Sequence, residues 1–373
     1  MRITGIKYIA PILDGSGYAQ AARGNVVALH KAGVPVMVNP ISFEHARPSL
    51  GKDGDIIQGC INNPVDYNVV LIHTTPEFWS QHREEGKLNV GYTIWETTKI
   101  HPDWKRYIND NVDLCIVGCE WNVGVFKDSG VTVPVKSVPH YVDAGVFDTA
   151  EPYNIQGLPP DHFAFYSIFQ WQERKNPMGL IKAYWHAFTE NEKVALILKT
   201  YRSNYSEQEK NAVRQSLQRL KYMFPYESYP KIYLIPDMLT NDEILSLHKR
   251  GDCYVTLDRG EGFGLSTATA AACGNPIIST GFGGVREYAD EDNSYLVNYT
   301  LTPVGGLPWC PWYLGEQLWA EPDVKHASDT MRRVYENREE AEQRGAKIRE
   351  HVKNNLSHEV IGNKLIKNIE ELL

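Results

Sequence analysis

Residues 253–280 read CYVTLDRGEGFGLSTATAAACGNPIIST and hold, in order, a strand-like run, a glycine-rich loop, a short helical run and a second strand-like run. Gly274 and Pro276 are expected to end the helix, and Ser266 and Thr267 to cap its start. Ligands of open α/β sheets bind beyond the carboxyl ends of the strands, where a loop leads into a helix. This stretch therefore predicts a parallel sheet with a ligand site at the glycine-rich loop that leads into the helix.

The same alternation of short apolar runs and helical periodicity extends over the whole chain, which indicates the α/β class. It loses its period at 148–162, DTAEPYNIQGLPPDH, and restarts at 163. We therefore expect two Rossmann-like domains that face each other across a cleft, residues 1–150 and 151–354. A stretch rich in Pro, Gly and Trp, 300–321, is expected to be an irregular insertion or a lid.

Composition narrows the class of protein. The 373 residues carry a net charge of −8 and include six cysteines scattered through apolar or loop contexts. The acidic balance disfavours nucleic acid as a partner, because phosphate binding needs clustered Lys and Arg. Buried thiols are expected rather than a metal or redox site. The N-terminus does not resemble a signal peptide and no apolar run is long enough to span a membrane, so we expect a cytoplasmic protein; peripheral contact with the inner face of a membrane stays open.

The glycine loop favours a ligand with both phosphates and hydroxyls. Glycines at 260, 262 and 264 let backbone N–H groups approach a ligand closely. Glu261 is a poor neighbour for phosphate and a good acceptor for hydroxyls, and a compound with both groups is a nucleotide sugar. The plain alternative is a tight glycine turn with a solvated carboxylate.

Two cations precede a predicted helix in QERKNP, residues 172–177. Arg174 and Lys175 are unfavourable for the helix dipole unless they face an anion, although two solvated charges would look the same. Pro177 is expected in the first turn. Another short glycine motif, Gly15 and Gly17 in DGSGYAQAARG, is a truncated and weak dinucleotide fingerprint.

Together these motifs resemble a known family. RGEGFGL, GNPIIST and GGVRE are similar to the donor site of family 4 glycosyltransferases (glycosyl transferases group 1), the retaining GT-B class, and RKNP resembles the diphosphate-binding lysine motif of that family. VGYTIWETTKI, VGCEWNVGVFKDSGV and VPHYVDAGVF resemble the later part of its acceptor domain. The resemblance implies a GT-B fold whose closing helix, 355–373, crosses back onto the first domain.

The resemblance also implies roles for individual residues. Lys175, helped by Arg174, would neutralise the leaving diphosphate, and Glu261 would bind hydroxyls of the transferred sugar. The remaining donor-binding positions would be the acceptor-side loop with Gly15 and Gly17, the backbone at Phe263, Gly264 and Leu265, and the nucleobase site at Ile235 and Pro236. Ile235 and Pro236 could equally be core and turn residues.

Three positions depart from the family pattern. Thr269 stands where a second glutamate usually binds the ribose, and Gln170 stands where an arginine is common, so Arg174 is expected to substitute. A histidine near the reacting centre is replaced within IWET, by Trp95 or Glu96. We take Glu96 as the candidate site carboxylate, against a role in interdomain structure.

The expected function is transfer of a sugar from a nucleoside-diphosphate sugar to a hydroxyl acceptor, by a retaining hexosyl- or pentosyltransferase. No metal and no cofactor beyond this co-substrate is expected, because no Asp-x-Asp pair lies in a suitable loop. The expected partners are a nucleotide sugar and a glycan or lipid-linked acceptor. The alternatives are a non-catalytic nucleotide-sugar or glycan-binding relative with a degenerate donor site, and an epimerase on the same fold, which the EGFGL form disfavours.

Overall fold

The computed structural model describes residues 2–43, 48–224, 226–305, 307 and 310–373. In the first half of the chain, six parallel strands form a sheet in the order β2-β1-β3-β4-β5-β6. Its elements are β1 Ile6–Ala10, α1 Gly17–Lys31, β2 Val36–Pro40, α2 Gly54–Cys60, β3 Val69–His73, β4 Leu88–Thr93, α3 Pro102–Asn111, β5 Leu114–Val117, α4 Glu120–Asp128 and β6 Val135–Ser137.

A second six-stranded parallel sheet follows, in the order β12-β11-β10-β7-β8-β9. Its elements are β7 Phe163–Gln170, α5 Pro177–Ala187, β8 Val194–Tyr201, α6 Glu207–Met223, β9 Lys231–Ile235, α7 Asn241–Arg250, β10 Cys253–Thr256, α8 Leu265–Cys273, β11 Ile277–Thr280 and β12 Tyr295–Val297. The chain ends with β13 Tyr299–Pro303, β14 Leu318–Pro322, α9 Val324–Glu336, α10 Arg338–Asn355 and α11 His358–Glu370. The two Rossmann-like parallel sheets confirm the predicted fold class.

Central strands of the first sheet are buried on both faces because helices cover the sheet. Every residue of β3, VVLIH, and of β5, LCIV, is buried. Each sheet reverses its strand order once, at β1/β3 in the first and at β7/β10 in the second. Such reversals open a crevice at the carboxyl ends of the strands, and ligands of doubly wound sheets bind there. The loops after β7 and β10 therefore border the crevice of the second sheet.

The closing helix α11 lies on the first domain. Ile361, Leu365 and Ile369 are fully buried in the core that β1, β3 and α1 also form. Gly362 allows this approach, since a Cβ there would lie 2.8 Å from the carbonyl oxygen of Ala28 in α1. The segment that joins the two sheets runs from 138 to 162 and contains the predicted boundary at 150/151.

The predicted irregular insertion at 300–321 is in part a regular hairpin. β13 and β14 pair antiparallel, with Tyr299 opposite Pro322 and Pro303 opposite Leu318. The two strands are separated by 14 residues, too many for a turn motif to announce the pairing. Gly306, Pro308 and Trp309 of the predicted lid lie outside the described residues.

Candidate functional site

The loop after β7 places two cations at the carboxyl edge of the second sheet. A single 3₁₀ turn, Glu173–Lys175, leads into α5. Asn176 adopts a left-handed backbone, φ 46°, and its side chain accepts a hydrogen bond of 3.1 Å from the amide of Gly179, which caps the helix. Pro177 is the first residue of α5, as predicted. This tight connection fixes the backbone of Arg174 and Lys175 immediately before the helix.

The loop after β10 is shaped by glycines. Gly264, with φ 81°, occupies the capping position of α8 and forms no side-chain hydrogen bond there. The predicted capping by Ser266 and Thr267 is wrong, because the left-handed turn at Gly264 starts the helix at Leu265 and places both residues inside it. A Cβ at Gly284 would lie 2.1 Å from the carbonyl oxygen of Gly262, so the loop also needs a glycine from its neighbour.

The structure brings the four predicted catalytic residues together. Arg174 donates from Nη1 to the carboxylate of Glu261 at 2.9 Å, and its Nη2 lies 3.6 Å from Oε1 of Glu96. Lys175 also donates to Glu261 Oε1. Glu96 comes from the first domain, in the loop between β4 and α3. The candidate site is therefore an ion-pair cluster assembled from both domains.

A further carboxylate, Asp258, completes the cluster. Its Oδ2 lies 4.0 Å from Nζ of Lys175, and it is only 7% exposed. The other oxygen, Oδ1, has no hydrogen-bond partner among the described residues. Burial lowers the pKa of Lys175 to about 8, while Asp258 and Glu96 act to raise it and Arg174 acts to lower it. Asp258 was not predicted, although its place at the end of a buried strand was a usable signal.

Arg259 forms a second layer around these residues. Its backbone amide donates to the carbonyl of Arg174 at 2.7 Å. Its guanidinium pairs with Glu173 at 2.8 Å and with Glu321 at 2.5 Å. The loops after β7 and β10 are thereby fixed to each other. Sequence reasoning passed over Arg259 although it stands beside the glycine motif.

Loops of the first domain lie close to the loop after β10, residues 257–264, which we call the donor loop after its predicted role. A Cβ on Gly17 would lie 3.8 Å from Leu265, and a Cβ on Gly260 would lie 2.2 Å from the carbonyl oxygen of Glu96. Gly15 and Gly17 are exposed. Phe263 is buried against the ring of His140, with ring centres 4.7 Å apart. Of the predicted donor-binding positions, Gly17, Phe263 and Leu265 therefore lie at the junction of the two domains.

Other predicted positions lie apart from the cluster or point elsewhere. Ile235 is the last residue of the edge strand β9, two strands from β7, and Pro236, which is buried, follows it. Thr269 donates its hydroxyl to the carbonyl of Leu265 in its own helix, at 2.8 Å. Gln170 donates to the carbonyl of Arg202 at 2.8 Å. Whether these residues bind a donor stays a prediction.

Within IWET, the two candidate replacements for the family histidine separate clearly. Trp95 is 3% exposed, and its ring stacks on Tyr313 with centres 4.9 Å apart. Glu96 instead directs one carboxylate oxygen to Arg174. Glu96 is thus the residue of the pair that contacts the cationic cluster.

Lys199 is a further candidate that sequence reasoning missed. It lies near the carboxyl end of β8, is 4% exposed, and burial lowers the pKa of its ammonium to about 8. Its Nζ lies 4.9 Å from the ring centre of Tyr205 and 5.8 Å from that of Tyr201. It is in register with Ile235 of β9, so it borders the predicted nucleobase position.

Two absences hold for the described part of the chain. Within it, no group of three or more His, Cys, Asp or Glu side chains is arranged to hold a metal ion. Likewise, none of the described helices combines the length and hydrophobicity needed to cross a membrane.

Comparison with known proteins agrees with this architecture. Residues 163–302 match the family Glycosyl transferases group 1. HepE from Anabaena, solved in complex with UDP-glucose, superposes with a TM-score of 0.66 and 12% identity, over 99% of this chain and 100% of HepE. Sucrose-phosphate synthase from Thermosynechococcus elongatus gives a TM-score of 0.68 and 14% identity, over 99% of both chains.

A curated relative is also found. Uncharacterized protein 356 of Sulfolobus islandicus rod-shaped virus 1 is 23% identical over 214 residues, which cover 57% of this chain and 56% of the viral protein. The match thus spans little more than half of that relative. The solved structures show the GT-B fold, and the family match lies within the second domain.

Proposed function

We propose that this chain is a glycosyltransferase that moves a sugar from a UDP-sugar to a hydroxyl group. The family match covers the domain that carries Arg174, Lys175 and Glu261, and a fold neighbour binds UDP-glucose. The observation that carries the proposal is the position of the two cations. They lie in front of α5, beside the loop that starts α8, at the crevice between β7 and β10.

This geometry suits departure of a diphosphate. As the bond between the sugar and UDP breaks, negative charge builds on the leaving oxygen, and preorganised cations stabilise it. In the structure, the carboxylate of Glu261 pairs with both Lys175 and Arg174. An incoming diphosphate takes over those cations, which frees the carboxylate of Glu261 to accept hydrogen bonds from sugar hydroxyls.

Backbone N–H groups at the start of α8 supply additional donors. The capping residue of α8 is Gly264, which has no side chain, so no capping side chain competes with a ligand for these N–H groups. The N-terminus of a helix attracts phosphate through its dipole and its free N–H groups. We assign the contacts with sugar and phosphate to the backbone of Phe263, Gly264 and Leu265, and the acceptor-side closure to Gly15 and Gly17.

The finer chemistry belongs to the same proposal. We infer that Arg174 and Lys175 supply the charge neutralisation that a divalent cation supplies in other transferases, and that the sugar is transferred with retention by front-face attack. Glu96 would line the reacting centre without forming a bond to the sugar. Proton NMR of the product anomer tests retention, and a trapped glycosyl adduct on Glu96 would contradict front-face transfer. The acceptor is proposed to be a glycan or a lipid-linked sugar.

The main test is release of UDP from a panel of UDP-sugars, with and without a chelator. Lys175→Ala should reduce turnover by about three orders of magnitude while far-UV circular dichroism stays unchanged, because the leaving diphosphate loses its nearest cation. Lys182→Ala is the matched control, since Lys182 lies in α5 and contacts Phe224 instead. Unchanged activity in Lys175→Ala would contradict the assignment of Lys175 to the leaving diphosphate.

A non-catalytic binding protein is the second candidate. Two observations favour it: the hydroxyl of Thr269 is used within its own helix, and both cations are already paired with Glu261. Calorimetric titration with each UDP-sugar separates the two candidates. Binding of a UDP-sugar without turnover on any acceptor would support the second candidate over the first.

A further inference from the structure

A segment outside the family match reaches into the candidate site. Residues 310–322, which we call the strap, include β14 and lie beyond the matched range 163–302. The strap belongs to the second half of the chain but contacts both domains. Its contacts define a structural part of the site that neither the family match nor the glycine motif includes.

On one side, the strap is bound to the first domain through the chain just after Glu96. The amide of Thr98 donates to the carbonyl of Leu318 at 2.9 Å, and the amide of Leu318 donates to the hydroxyl of Thr98 at 3.0 Å. Gln317, 1% exposed, accepts a hydrogen bond of 3.2 Å from Thr97. These bonds fix residues 97–98 to the strap.

On the other side, the strap is bound to the donor loop through Arg259. The amide of Ala320 donates to the carbonyl of Arg259 at 2.7 Å. The Arg259 guanidinium pairs with Glu321 and lies 5.4 Å from the ring of Trp319. Since the amide of Arg259 also bonds to Arg174, the strap is one residue removed from the cationic pair.

Tyr313 provides the direct link to the cluster. Its hydroxyl donates to Oε2 of Glu96 at 3.1 Å, while Oε1 of the same carboxylate faces Arg174 at 3.6 Å. Its ring stacks on Trp95 at an interplanar angle of 26°. Burial raises the pKa of Tyr313 well above its usual value, so the phenol stays protonated and remains a donor. The two oxygens of Glu96 are thus shared between the strap and Arg174.

We propose that Tyr313 is a positioning residue of the active site, which holds the Glu96 carboxylate towards Arg174 and so completes the donor site from the strap. The proposal rests on the proposed function, because it assumes that Glu96 and Arg174 act on a nucleotide sugar. A glutamate on a loop samples several rotamers when its carboxylate has no partner. When each carboxylate oxygen has its own partner, the side chain keeps a single geometry. Misplacement of a site group by about 1 Å can cost up to about 100-fold in rate.

The test is a double-mutant cycle on UDP release. Tyr313→Phe keeps the ring on Trp95 and removes only the hydroxyl; kcat should fall about 10- to 100-fold with an unchanged melting temperature. Tyr299→Phe is the matched control, since Tyr299 lies in β13 of the same hairpin and is 40% exposed. In a Glu96→Ala background, adding Tyr313→Phe should cost little more, because both changes remove one interaction.

The outcomes separate the two proposals. Two results with an active wild type overturn the role of Tyr313 and leave the proposed function intact. In one, the losses of activity from the two substitutions add in full; in the other, Tyr313→Phe is as active as the wild type. If the wild type binds UDP without turnover, the same cycle is measured on the affinity for UDP by calorimetry, and additivity again overturns the role. A wild type that neither binds nor releases UDP overturns both proposals.

Discussion

At the scale of single residues, the charge of Lys175 depends on its neighbours. Burial alone would favour the neutral amine, and it lowers the pKa of Lys175 to about 8. Asp258 is the largest influence in the opposite direction, at 4.0 Å. A cation that binds a diphosphate must be protonated. The free enzyme should therefore lose kcat/KM as the pH rises through about 8, since kcat/KM reports the free enzyme.

Asp258→Asn should move this loss of activity to lower pH. Removing the negative charge lowers the pKa of Lys175 further, because Asp258 makes the largest contribution that raises this pKa. The variant should retain activity at about pH 6. As the pH rises, it should lose activity at a lower pH than the wild type does. The measurement is kcat/KM for UDP release between about pH 6 and about pH 9.

Asp161→Asn is the control for the change in net charge. Asp161 is an exposed carboxylate that pairs with Lys193 on the surface. It should leave the pH profile where it is. If Asp258→Asn loses activity equally at every pH, Asp258 supports the loop and does not set the charge of Lys175.

Residue identities were easier to predict than their pairings. Lys175, Arg174 and Glu261 stand in motifs with fixed spacing, so the sequence indicates them directly. Asp258 and Tyr313 reach the ion-pair cluster only because the fold brings the end of β10 and the strap beside Lys175 and Glu96. Tyr313 lies 217 residues from Glu96 along the chain. Spacing along the chain carries no signal for such a contact. The sequence therefore predicts a donor site but not its full ion-pair network.

At the scale of elements, close backbone approach explains the glycine loop better than strain does. Gly260 does not have a positive φ, but a Cβ there would lie 2.2 Å from the carbonyl oxygen of Glu96. Backbone atoms cannot turn aside as a flexible side chain can. Any residue larger than glycine at 260 must therefore push the donor loop away from the first domain.

Gly260→Ala should lower both stability and activity. Overpacking of this kind costs about 1–3 kcal/mol, and the shift also separates Glu96 from Arg174. Urea unfolding gives the free energy of unfolding, and UDP release gives the activity. The matched control is Gly124→Ala in α4, where a Cβ meets no atom within 4 Å. Because alanine favours helix, that variant should gain up to about 1 kcal/mol; equal behaviour of the two variants would contradict the close-approach account.

Most elements followed from the sequence because parallel strands covered on both faces are continuous apolar runs. YNVVLIHTT and VALILKT each contain such a strand, β3 and β8. The start of α8 and the β13–β14 hairpin did not follow. One depends on a left-handed glycine, and the other on an exposed strand, β13, with Tyr299 and Leu301 each at least 40% exposed. A left-handed backbone conformation at one residue and a solvent-exposed strand produce little hydrophobic pattern in the sequence.

At the scale of the whole molecule, the last helix stabilises the first domain. α11 follows the entire second sheet in sequence, yet its apolar face is buried beside α1 and β1. The chain therefore cannot complete the first domain's core until its final residues are in place. A change in α11 should weaken the first sheet more than the second.

Leu365→Ala is the variant that tests this coupling. Leu365 is fully buried, and truncating a buried leucine costs about 2–5 kcal/mol. Amide hydrogen exchange should become faster in β1 and α1, while β7 and β8 keep their protection, since local stability follows cooperative units. Asn363→Ala, at an exposed position of the same helix, should leave both sheets unchanged. Equal loss of protection in the two sheets would show that they unfold as one unit; loss in the second alone would contradict the assignment of α11 to the first domain's core.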